Sequence, residues 1–394
     1  MWRKAAAVCL LAAPVALTVA TGVDPALGND QGYGVYRAHP DATQWHALLL
    51  HWAWVLFVPG LLGLLAPVRR RGAVLARVAW FAVVVGLVTF SALMAFDFFL
   101  LALEQTLPDA QVQAVDERFQ SLTPMVVGWQ WPGLAGWVLA LLLTPVAAAR
   151  ARVISWWTAG AALTGTVLYL LFAISPVPLN LTGPVVLIGA YAYAGRELVR
   201  GGRVDAAEPD TFGDFRRRAG LVCMVAAPLS FAAGMVTDPF FLHLGWVLFV
   251  PAVLRVAAGA GRFTRVAAGV TALALINFSA LMIGDSADLA ARQALGAADA
   301  QRVSDAFGDL PLFAYGWVLP GMALTLLGLV AVPVGAAADR LTRWWVAVLA
   351  AAGVAAFLVF ASGPAGMIGP VLLLAAFGIM ARDLRRPEAL ALAA

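Results

Sequence analysis

The chain repeats itself, and both copies are written in apolar runs long enough to span a bilayer. His51-x-x-Trp54-Val55-Leu56-Phe57-Val58-Pro59 returns 192 residues later as His243-x-x-Trp246-Val247-Leu248-Phe249-Val250-Pro251. Phe90-Ser91-Ala92-Leu93-Met94 returns as Phe278-Ser279-Ala280-Leu281-Met282, and Gly128-Trp129-x-x-Pro132-Gly133 as Gly316-Trp317-x-x-Pro320-Gly321, both 188 residues on. A fixed internal period sets an architecture before any local reading is made. It also acts as a filter, because a residue kept in both copies has been sampled twice.

The chain is 62% hydrophobic and 12% charged, whereas a soluble domain carries about a quarter charged residues. Apolar runs able to cross roughly 30 Å of hydrocarbon recur from end to end. The expectation is an all-α, polytopic integral membrane protein in the lipid bilayer. A net charge of +4 would suggest nucleic acid in a soluble chain; here the basic residues lie between spans and report orientation, so no nucleic acid partner is expected.

The first 22 residues have the parts of a signal peptide: Arg3 and Lys4, an apolar run, then small residues. The repeat argues for a retained span. Val8-Cys9-x-x-Ala12-Ala13-Pro14 and Asp24-Pro25 reappear deep in the chain as Val222-Cys223-x-x-Ala226-Ala227-Pro228 and Asp238-Pro239. The two cysteines are far apart, which fits neither a metal cluster nor a disulfide framework.

Six apolar segments per half are expected, near 5–23, 47–66, 78–102, 124–148, 153–174 and 179–195, then 219–236, 242–258, 265–284, 312–334, 344–361 and 364–381. With the N-terminus inside, all but Arg37, Arg118, Arg292 and Arg302 of the 26 basic residues fall on the cytoplasmic side. An even number per half inserts both copies the same way round. The reading is therefore about 12 transmembrane helices as two parallel tandem six-helix repeats. Residues 1–198 form the first repeat, 199–218 a cytoplasmic linker, 219–386 the second repeat and 387–394 a short C-terminal tail. Both termini are cytoplasmic and the membrane is the plasma membrane.

An external insert at about 26–44 exists only in the first half and holds Gly28, Asn29, Asp30, Tyr33, Tyr36 and His39. It reads equally as a small cap or a loose loop. After the third span, Val112, Val115, Phe119 and Leu122 are spaced for a short amphipathic helix, echoed by Val303 and Phe307.

Ionisable residues inside spans are the usual functional candidates, and no span carries one near its midplane. What recurs is an Asp, a His and an Asp at the outer boundary of each half: Asp24, His51 and Asp97, then Asp238, His243 and Asp285. If they converge, such groups handle protons or bind a divalent metal. Their bland alternative is helix-end anchoring, since Asp before Pro commonly ends a helix. Trp54 and Trp246, one turn below the histidines, offer rings for a ligand or simply pack. Ser91 and Ser279 are candidates for a pocket floor, although serine is also ordinary helix-packing material. A haem held between His51 and His243 has no other signature in its favour, and no cofactor is indicated.

Three functions fit. The first is a permease or exporter for an apolar or neutral small molecule, with a site between the repeats. The second is an accessory or structural membrane protein that needs a protein partner and has no chemistry of its own. The third is a membrane-embedded enzyme acting on a lipid or isoprenoid substrate, with the Asp and His groups as acid and base. No catalytic residue is assigned.

Overall fold

A computed structural model of the chain describes residues 2–27, 32–202, 204, 207–360 and 364–385. Gly28, Asn29 and Asp30 of the insert, the tail 387–394, Arg203 and Arg386 lie outside the described residues. Those described are helical, with no strand among them. The main helices are α1 Trp2–Val23, α2 Val35–Ala38, α3 Pro40–Leu65, α4 Ala73–Thr106, α5 Asp109–Ser121, α6 Pro124–Arg150, α7 Trp156–Phe172, α8 Thr182–Arg200, α9 Thr211–Gly234, α10 Pro239–Ala257, α11 Arg262–Leu295, α12 Ala297–Gly308, α13 Pro311–Ala338, α14 Trp344–Val359 and α15 Ile368–Asp383.

A helix occupies each of the twelve expected segments, but length and composition separate them. Eight are long and apolar enough to cross a membrane: α1, α3, α4, α6, α10, α11, α13 and the helix ending at Asp383. α7 and α14 are apolar but shorter, with 17 and 16 residues. α8 and α9 are long, yet Arg196, Glu197 and Arg200 or Asp214 and Arg216 to Arg218 dilute their apolar content.

Several helices outrun the apolar runs that announced them. α3 starts at Pro40 instead of 47, because Pro suits the first helical position and Asp41 favours the positive end of the helix dipole. His51 therefore sits about 16 Å from the helix start at 1.5 Å per residue, about three turns in instead of one.

The helices are apolar on both sides, as a membrane requires. α1 buries Leu10, Ala13, Leu17 and Ala20 while Val8, Leu11, Val15 and Val19 face outward. Trp156 and Trp157 at the start of α7 are 60% and 91% exposed, which water would penalise and a membrane interface favours.

Small residues let the backbones meet. Gly60 of α3 lies against Leu10 of α1, and a Cβ there would come within 3.0 Å of the leucine side chain. Gly86 and Gly136 press α4 and α6 together so closely that a Cβ on either would strike the other's Cα. At that contact the α4 ladder widens into a π-turn, Ala82–Leu87. π-turns also precede the matched prolines Pro132 and Pro320, at Pro124–Gln130 and Ala314–Val318. Proline breaks the regular ladder, and the wider turn accommodates it.

The chain forms two compact units. Unit 1 comprises residues Met1–Gly213 and Ile283–Trp317; unit 2 comprises Asp214–Met282 and Val318–Ala394. Their borders depart from the sequence halves in one stretch, since 283–317 joins unit 1. Aromatic packing accounts for this: Phe98 meets Phe313 and Trp317, Phe99 meets Phe307, and His51 stacks on Trp317 at 3.5 Å between ring centroids. Polar contacts add to it, with Trp52 Nε1 donating to Gly316 O at 3.2 Å and Leu312 N to Gln44 Oε1 at 3.2 Å. The expected amphipathic helices are α5, which buries Val112, Val115 and Phe119, and α12, which buries Ala300 and Val303.

Replacing Gly136 with valine is expected to lower the stability of the detergent-purified protein by about 1–3 kcal/mol or more, the usual range for overpacking. Gly189→Ala, where a Cβ meets nothing within 4 Å, is expected to leave it unchanged. Thermal unfolding followed by tryptophan fluorescence checks both.

Candidate functional site

Asp24 and Asp97 come together in unit 1, and the imidazole between them is His46, not His51. His46 lies in the second turn of α3 and is buried. Its Nε2 is 3.7 Å from Asp24 Oδ2 and 3.6 Å from Asp97 Oδ2. Its Nδ1 is 2.9 Å from Ala20 O in the last turn of α1. His46 and His51 are five residues apart, about 140° around a helix of 3.6 residues per turn, so they face different neighbours.

Each neighbour is held by its own element. Asp24 follows α1 directly, and its Oδ1 accepts a hydrogen bond from Ala26 N at 2.9 Å, fixing the turn out of the helix. Asp97 projects from α4. The Tyr36 hydroxyl of α2 donates to Asp97 Oδ1 at 3.2 Å. α2 is in turn anchored by Arg37, whose backbone N–H bonds Glu104 Oε2 at 2.8 Å and whose guanidinium reaches Glu104 O at 2.9 Å and Asp109 Oδ1 at 3.2 Å. Tyr33 donates to Asp116 Oδ2 at 2.9 Å. The described part of the insert is thus an ordered cap over the cluster. Burial and the adjacent carboxylates keep both phenols protonated: Tyr33 is pushed up to about 12 by burial and its bond to Asp116, and Tyr36 goes further up through burial beside Asp97.

The hydrogen-bond roles constrain the protons. Ala20 O only accepts, so Nδ1 of His46 carries hydrogen. A neutral imidazole would then turn the lone pair of Nε2 toward two carboxylates. That is repulsive unless Nε2 is also protonated or one carboxyl carries the proton.

His51 does different work. It is fully buried, with Nδ1 3.1 Å from Ser91 O. In unit 2, His243 is buried with Nδ1 3.0 Å from Ser279 O. Both serines turn their own hydroxyls back to the helix, Ser91 to Val88 O at 2.7 Å and Ser279 to Ile276 O at 2.9 Å. Trp54 is buried among Phe57, Phe90, Trp137 and Tyr169, and Trp246 among Phe231, Phe249, Phe278 and Phe357.

Asp238 caps α10, its Oδ1 accepting from Phe240 N at 2.8 Å. Asp285 is exposed on the part of α11 that belongs to unit 1, whereas Asp238 and His243 belong to unit 2. Among the described residues, no group of three or more His, Cys, Asp or Glu side chains is arranged to hold a metal ion. Both cysteines are free thiols. Comparison with family models, curated proteins and solved structures finds no match for this chain.

His46 escaped the repeat because it has no second copy: 192 residues on stands Asp238. The signal that finds it is rarity, since the chain has 4 histidines and one falls in an apolar helix beside the recurring one.

His46→Ala leaves two partly buried carboxylates facing each other and is expected to cost up to about 3 kcal/mol, the low end for an unpaired buried charge. Adding Asp24→Asn is expected to restore part of that loss. A double-mutant cycle on unfolding in detergent measures the coupling.

Proposed function

We propose that the chain is a permease or exporter for an apolar or neutral small molecule, and that Asp24, His46 and Asp97 are its proton-handling group. The observation carrying this reading is the position of His46, one ring nitrogen committed to a backbone carbonyl and the other within ion-pair distance of two carboxylates. Burying ionisable groups in a membrane protein is costly and is sustained where protons or charges are moved.

The scaffold we infer has twelve spans in two parallel six-helix repeats, in the plasma membrane, with both termini cytoplasmic. The placement of arginines supports the orientation. The matched bonds from His51 to Ser91 and His243 to Ser279 support the duplication. In that orientation the cluster lies at the outer boundary. With the imidazole charged and both carboxylates ionised, the cluster carries one net negative charge. One further proton neutralises it and lowers the cost of keeping it buried. Asp97 is the more exposed carboxylate, at 21% against 13% for Asp24.

A second reading has its own support. Converging carboxylates, an imidazole and a phenol are also what acid–base chemistry on a lipid or isoprenoid substrate requires. The two are separated by the fate of the substrate: a permease returns it unchanged, an enzyme does not.

Proteoliposomes with an imposed pH gradient test the transport reading with a panel of neutral amphiphilic solutes. Gradient-driven accumulation is expected in wild-type vesicles, to fall at least tenfold in His46→Gln, and to persist in His39→Gln, whose side chain is exposed. A His46→Gln protein that transports as well as wild type would sink the role given to the cluster. Reporter fusions near residue 207 are expected to report a cytoplasmic location.

A further inference from the structure

At the opposite end of α3 and α4 from His46 and Asp97, unit 1 has a cavity of about 680 Å³ lined by Arg70, Arg71, Val74, Leu75, Arg150 and Glu208, among others. Its charge is one-sided. None of the three guanidinium groups has a carboxylate partner among the described residues. Among the described residues the one carboxylate in the lining is Glu208, which accepts a hydrogen bond from the backbone N–H of Arg71 at 3.1 Å. Arg69 fastens the same wall by donating to Glu208 O at 2.9 Å.

The start of α4 opens into this space. Gly72, in the left-handed region at φ 82°, precedes the helix and supplies no side-chain cap. A Cβ at Gly72 would approach Ala147 O at 2.9 Å, so the close seating of this turn on α6 requires glycine. Val74 and Leu75 lie in the first turn, whose N–H groups have no intrahelical acceptor. The cavity thus combines three cationic forks and a positive helix end with, among the described residues, one carboxylate, which is bonded to the Arg71 backbone.

We propose that this cavity binds a phosphate group. Planar guanidinium groups match phosphate oxygens two at a time, and unpaired backbone N–H groups at a helix start complement the same charge. A single carboxylate would leave most of the positive charge uncompensated. The volume also exceeds that of bare phosphate and leaves room for the group that carries it. The inference stands independently of the transport reading, because it uses neither the acid–imidazole cluster nor the membrane orientation.

Two probes distinguish the source. Inorganic phosphate is titrated calorimetrically into the full-length protein in neutral detergent. Separately, native mass spectrometry counts phosphatidylglycerol against phosphatidylcholine retained from mixed vesicles. Binding of phosphatidylglycerol alone assigns a lipid headgroup, and binding of inorganic phosphate assigns a soluble phosphate as well. In either case Arg71→Gln with Arg150→Gln is expected to weaken binding at least tenfold, and Arg302→Gln, on the exposed face of α12, to leave it unchanged. Should the double variant not fold, Arg150→Gln alone is expected to bind several-fold more weakly. Raising salt is expected to release the ligand from the wild-type protein. The proposal is overturned if the wild-type protein binds neither probe, or if the arginine variants bind as tightly as wild type.

Discussion

A carbonyl left over inside an apolar helix must find a donor, because hydrocarbon holds no water to supply one. The helices of this chain are not uniform, and where the α4 ladder breaks Ser91 O is reached by Met94 N only at 3.4 Å. Directly after Ser91 the α4 ladder is interrupted at Met94, and directly after Ser279 the α11 ladder tightens into a 3₁₀ turn, Ala280–Met282. In both places a buried histidine on the preceding long helix supplies a nitrogen to the serine carbonyl. The donor role fixes the tautomer: Nδ1 carries the hydrogen. These two residues therefore fix where one helix docks on the next, which is reason enough for their recurrence.

The acid–imidazole cluster obeys a different logic. It is assembled from the end of α1, the start of α3, the last third of α4 and the cap that only the first half possesses. Its second-half counterparts are spent on ordinary tasks, Asp238 as a helix cap and Asp285 on an exposed face. The matched histidine–serine bonds occur in both halves, and the acid–imidazole cluster in the first. Tyr36 and Arg37 tie the cap to α4, so the insert belongs to the chemistry of the cluster as much as to its shelter.

What could be read from residues follows from which interactions are local. Apolar runs placed a helix at every expected segment, and the 3.6-residue spacing of Val112, Val115 and Phe119 placed α5 and its buried face. Helix ends were less legible, because a polar residue such as Gln44 continues α3 past the apolar run once its side chain finds a partner in the fold, the backbone N–H of Leu312. Asp24 and Asp97 were recognised, and their imidazole was not. The internal repeat favoured His51, which the helix turns toward Ser91, over His46, which the helix turns toward the acids. Only the angular phase of α3 against α1 and α4 decides between them, and phase is a property of packing.

The segment 283–317 has a mechanical consequence. The polypeptide passes from one unit to the other three times, inside α9, α11 and α13, and not through slack loops. The second passage falls just after the tight turn Ala280–Met282, and the third within the wide turn Ala314–Val318. A regular helix behaves as a stiff rod, while a ladder already overwound or underwound bends with fewer bonds lost. Two of these passages therefore lie where the ladder is already irregular, and Trp317, stacked on His51, is the residue just before the last of them.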